Sequence, residues 1–149
     1  MTDLILAITH HLLVFALVAV MAIEAALVRP GLSAGALPRL AKIDTAYGAL
    51  AAVIIAVGIG RVAFGAKGAD FYLSNPWFWG KMIAFAVIGI LSIAPTLTFM
   101  RWRRAARSDP AFAPPAQAVQ RIRRFIIAEL ALLPIVLACA AAMARYGGF

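Results

Sequence analysis

The chain has 149 residues, 64% of them apolar and only 13% charged, with a net charge of +8 at pH 7. A water-soluble domain is near half apolar and about a quarter charged, so this surface suits lipid and the soluble-enzyme classes are set aside. In a soluble protein the excess of basic residues would suggest nucleic acid. Here they flank apolar runs, as the positive-inside rule requires, and no nucleic-acid partner is expected.

In chain order, the first apolar run covers residues 4–28, broken only by Thr9, His10, His11 and Glu24 and ended by Arg29-Pro30-Gly31. It is long enough to cross roughly 30 Å of hydrocarbon as a retained helix. Residues 32–43 read as a short basic connector on the membrane surface, carrying Arg39 and Lys42. The second span covers 46–64, with Arg61 near its end, and 65–75 reads as a polar loop. Ser74-Asn75-Pro76 is a helix start, a capping side chain followed by proline in the first turn. The third span covers 77–100 and contains Pro95, which membrane helices tolerate and which is expected to bend it. A basic turn with Arg101, Arg103, Arg104 and Arg107 leads to a fourth span over 121–145.

The fold expected is therefore all-α, a single-domain integral membrane bundle of four helices, multi-pass in a bacterial inner membrane. Lysine and arginine concentrate in the first and third connections, which places those inside and both termini outside. Cys139 is the one cysteine, so an internal disulfide, a zinc cluster and a covalent c-type haem are excluded within one chain.

Ionisable residues inside a span are costly and mark functional positions. Sorted by depth, they fall into two groups. His10 and His11 lie roughly 9 Å into the first helix at 1.5 Å per residue. Arg61, Lys81, Met82 and Met143 reach the same outer level. On the inner side lie Glu24, Asp44, Tyr47 and Glu129, with Arg29, Arg39 and Lys42 expected within reach of the carboxylates. His10, Val14, Leu17, Met21 and Glu24 form one stripe, because fourteen residues return to within about 40° on a 3.6-residue helix. That stripe is expected to face the bundle, with His11 about 100° away from it.

Neutral imidazole is an axial ligand for haem iron, and an apolar four-helix bundle is a natural container for it. His10 and His11 are the candidate metal ligands, His10 favoured and His11 an alternate or supporting partner. Arg61 and Lys81 are candidates for the haem propionates, and Met82, Met143 or a histidine of another protomer for the second axial position, an open sixth position being the alternative. Glu24 and Glu129 are the candidate proton-handling, catalytic carboxylates. The cofactor expected is haem b.

The segments His10-His11-Leu12-Leu13, Gly65-Ala66-Lys67-Gly68-Ala69-Asp70-Phe71-Tyr72, Asn75-Pro76-Trp77-Phe78-Trp79-Gly80-Lys81 and Pro95-Thr96-Leu97 resemble a bacterial family of predicted membrane proteins, the domain of unknown function 2214. The layout is also distantly similar to HemJ-type protoporphyrinogen oxidases and copper-resistance-D-like membrane proteins. The positions that carry this likeness are His10, Trp79 with Lys81, and Arg124 with Glu129. The tryptophan-to-lysine spacing is one residue shorter here, Ala128 stands where HemJ has asparagine, and His11 is outside the HemJ pattern. The resemblance implies b-type haem and redox chemistry, either electron transfer or oxidation of a small hydrophobic substrate. The alternatives are a non-enzymatic membrane subunit or assembly factor, and a small transporter. The expected surroundings are the lipid bilayer and a homo-oligomer or larger membrane complex.

Overall fold

The computed structural model describes residues 1–109 and 111–146. Five α-helices follow one another: α1 (Thr2–Leu27), α2 (Leu37–Phe64), α3 (Gly68–Leu73), α4 (Pro76–Ser108) and α5 (Ala116–Arg145), with a 3₁₀ turn at Ala34–Ala36 before α2. Four of the helices are long and apolar enough to cross a membrane. They form an antiparallel bundle in which α1 packs on α2 and α5, and α4 packs on α2 and α5. Its outside is apolar: Ile5, Phe15, Ile59, Ile90 and Leu137 are all exposed. That surface is favourable only against lipid.

Two boundaries differ from the sequence expectation. The connector expected over 32–43, a helix-compatible segment, joins α2 from Leu37 onward, with Pro38 at its start. Leu37, Leu40, Ala41 and Asp44 recur at i, i+3, i+4 and i+7 and are all buried, the spacing of a helix face turned to the core. The arginine run after the third span is likewise helical. The 33 residues of α4 cover about 50 Å, against roughly 30 Å of hydrocarbon. The surplus lifts Arg101, Arg103, Arg104 and Arg107 clear of the membrane. The helix is unbroken through Pro95.

The 65–75 loop contains α3, which follows Lys67 and begins at Gly68, where φ is +75°. L-residues rarely adopt that conformation. The expected start of the third span is present, with the Trp77 N–H donating to Asn75 Oδ1 at 2.9 Å.

The interior is layered along the bundle axis. At the basic end an apolar layer joins Val28 of α1, Leu37 and Leu40 of α2, Phe99 and Trp102 of α4 and Ile122 of α5. Next, each long helix contributes a polar residue: Glu24, Asp44 with Tyr47, Thr96, and Glu129. A second apolar layer follows, with Leu17, Met21, Ile54, Ile88 and Leu133. Beyond it lie His10, Arg61 and Lys81, and then a small aromatic group of Tyr72 and Phe78 with Met143. The beginning of α1 and the end of α5 share this far end, opposite the basic one.

Close approach of α4 and α5 depends on Gly80, where an added Cβ would sit 3.2 Å from Cys139 Sγ. Gly80→Leu would overpack that crossing by more than a methyl group. We expect a stability loss of about 1–3 kcal/mol, measured as a lower melting temperature in detergent.

Candidate functional site

The site grows from residues that hydropathy alone would forbid. His10 lies on the inward stripe of α1, which the structure confirms by burying Leu17, Met21 and Glu24 along it. Arg61 stands in the last turn of α2. Lys81 and Met82 stand in the second turn of α4, whose start is fixed by the Asn75 cap. Because neighbouring helices run antiparallel, residues near these ends meet at one depth. His10, Arg61, Lys81, Met82 and Met143 all line one cavity of about 410 Å³. Cavities that hold small molecules or cofactors typically span about 300–1,000 Å³. Its remaining walls are largely apolar, among them Val14, Leu17, Ile54 and Phe85.

Two polar atoms here have no partner. His10 Nδ1 and Arg61 Nε are both buried without a hydrogen bond. Buried polar groups are nearly always satisfied, and an orphan calls for an explanation. Lys81 Nζ lies 5.3 Å from the centroid of the Phe78 ring, a cation–π distance. Gly58 of α2 faces the imidazole, and a Cβ there would meet His10 Cε1 at 3.7 Å. Tyr72 and Phe78 also line the cavity. Tyr72 is buried, whereas Trp77 and Trp79 are exposed as an interfacial aromatic belt would be. Tyr72 is buried because α3, in the α2–α4 connection, turns it inward.

His11 is placed elsewhere. It is exposed, its Nδ1 donates to the Ala7 carbonyl at 2.6 Å, and its ring stands at 88° to that of His10 with centroids 6.3 Å apart. The two imidazoles do not converge on one point. Among the described residues no three His, Cys, Asp or Glu side chains gather as a metal-binding group.

Glu24 and Glu129 come together in the polar layer, away from the cavity. The Tyr47 hydroxyl donates to Glu129 Oε2 at 3.1 Å, and the Thr96 hydroxyl donates to Asp44 Oδ1 at 2.7 Å. Arg29, Arg39 and Lys42, expected to pair with these carboxylates, are exposed instead. None of the charged groups acting on Glu24 or Glu129 is basic. Arg123 turns to the end of α1, where its Nη1 donates to the Val28 carbonyl at 3.4 Å. A larger, shallower groove of about 760 Å³ runs between α4 and α5 at the basic end, past Arg101, Trp102 and Arg121. It gathers no buried unpartnered polar atom, so the His10 cavity is the stronger candidate.

A family model described as Predicted membrane protein (DUF2214) matches residues 2–148. No curated protein and no solved structure matches the chain.

Proposed function

We propose, for a chain that belongs to the DUF2214 family of predicted membrane proteins, that the His10 cavity is a haem b site with a redox role. The observation that carries this reading is the buried, unpartnered Nδ1 of His10 at an apolar cavity that also holds Arg61 and Lys81. The donor set fits the group: imidazole is an axial ligand, and guanidinium and ammonium groups bind carboxylates such as the propionates. Met82 and Met143 both line the cavity and are the thioethers that would be available as a further ligand to the iron. Bound haem would supply one-electron chemistry, passing electrons on or oxidising a small hydrophobic substrate. The chain's own part is to orient the group through His10, neutralise its carboxylates through Arg61 and Lys81, and exclude water with Val14, Leu17, Ile54 and Phe85.

In a bacterial inner membrane the positive-inside rule would orient this site outward. Arg29, Arg39, Lys42, Arg101, Arg103, Arg104, Arg107, Arg121, Arg123 and Arg124 all stand at the opposite end. A C-terminal alkaline phosphatase fusion is then expected to be active and a C-terminal green fluorescent protein fusion dark. The reverse pattern would invert the topology.

The decisive experiment is an absorption spectrum of protein purified in mild detergent from cells supplied with haem precursor. A Soret band is expected, with sharp α and β bands after dithionite. A colourless protein would overturn the haem reading.

A further inference from the structure

The polar layer is not used by the haem reading, and its composition poses a separate question of charge. Glu24, Asp44 and Glu129 are 4%, 7% and 3% exposed. They come from α1, α2 and α5, and α4 faces them with Thr96. Apolar layers close the group on both sides, around Val28, Leu40 and Phe99 towards the basic end and around Leu17, Met21 and Ile88 towards the cavity.

Three carboxylates offer six oxygens. The side-chain donors that reach them are two hydroxyls, Tyr47 to Glu129 Oε2 and Thr96 to Asp44 Oδ1. Glu129 Oε1 is buried with no partner at all. Asp44 and Glu129 act electrostatically on Glu24, and Asp44 on Glu129. The buried Pro95 lacks an N–H, so the Leu91 carbonyl one turn earlier is a further acceptor without its helical donor. Among the described residues the layer is thus rich in acceptors and poor in donors, and the basic residues expected to pair with it, Arg29, Arg39 and Lys42, are exposed. Three negative charges confined together in a low-dielectric interior are strongly unfavourable. A proton on a carboxyl oxygen removes a charge and adds a donor at once.

We propose that Glu24, Asp44 and Glu129, with Tyr47 and Thr96, form a proton-binding site in the basic-end half of the membrane. Its ligand is the proton: among the described residues the three carboxylates do not meet as a metal-binding group. This inference is independent of the haem reading and holds for a colourless protein.

The test is infrared spectroscopy of the full chain in lipid at neutral pH, read at the C=O stretch of protonated carboxylic acids. The chain has only six acidic residues, and Glu24 and Glu129 are its two glutamates. A protonated-carboxyl band is expected that shifts down in D₂O, weakens in Glu24→Gln and in Glu129→Gln, and disappears in the variant that adds Asp44→Asn to both. Dicyclohexylcarbodiimide, an apolar reagent for protonated carboxyls, gives a second readout on the unmutated chain. Peptide mapping is expected to find the adduct on Glu24 or Glu129 and not on Asp3, Asp70 or Asp109. Absence of both band and adduct would overturn the proposal, as would a band unchanged by the glutamine variants. Loss of band and adduct on adding sodium at constant pH would also overturn it, and would make the layer an alkali-cation site.

Discussion

His10→Ala is expected to abolish the haem absorbance of the purified protein, while His11→Ala retains it. The contrast follows from geometry, because adjacent residues on a helix diverge by about 100°. His10 opens onto the cavity with an unpartnered ring nitrogen, and His11 lies outside it, bonded to its own helix. On the proposed haem reading the substitution removes the imidazole that would hold the iron, and the chain's one other histidine, His11, does not line the cavity to replace it. Arg61→Gln and Lys81→Gln should each weaken haem retention by a charge-assisted hydrogen bond, about 1.5–3 kcal/mol. That corresponds to roughly 10- to 150-fold in affinity, read from the haem-to-protein ratio after transfer to apo-myoglobin. Pigment retained in His10→Ala would show that the iron is held elsewhere.

Tyr47→Phe is expected to destabilise the bundle by about 1–3 kcal/mol, the cost of stranding a buried polar atom. Glu129 already has one oxygen without a partner, and the substitution removes the donor of the other. The double variant Tyr47→Phe with Glu129→Leu should recover most of the loss, since replacing both members of a buried polar pair by apolar groups is nearly neutral. Thr45→Val serves as the control. Its hydroxyl bonds only to the Ala41 carbonyl of its own helix, and an effect within about 0.5 kcal/mol is expected. Thermal unfolding in detergent, followed by circular dichroism, measures all three. A Tyr47→Phe protein as stable as the parent would mean that water satisfies Glu129 in the tyrosine's place.

Much of the cavity was legible in the sequence because depth is arithmetic. In an antiparallel bundle, distance from a helix end fixes level, and so His10, Arg61, Lys81, Met82 and Met143 could be grouped without coordinates. The inward stripe from His10 to Glu24 was legible for the same reason. Hydropathy found the four spans but misjudged where α2 begins and α4 ends. It reports where lipid begins, and helices continue through the interface. The partners of the carboxylates were not legible. Charge complementarity favoured Arg29, Arg39 and Lys42, yet these side chains are exposed, and two hydroxyls, Thr96 to Asp44 and Tyr47 to Glu129, donate instead. Which face of α2 Tyr47 occupies, relative to Glu129 on the facing helix, depends on crossing geometry that no single helix encodes.

The bond between Tyr47 and Glu129 joins α2 to α5, which stand at opposite corners of the bundle, whereas the Thr96–Asp44 bond runs along one side. Four rods held only along their sides form a square that leans into a rhombus under little force. A tie across the corners prevents it. The same α2 that anchors this tie carries Gly58 and Arg61 into the wall of the His10 cavity, and the same α5 carries Met143. The diagonal tie in the polar layer and the wall of the His10 cavity are thus built on the same two helices.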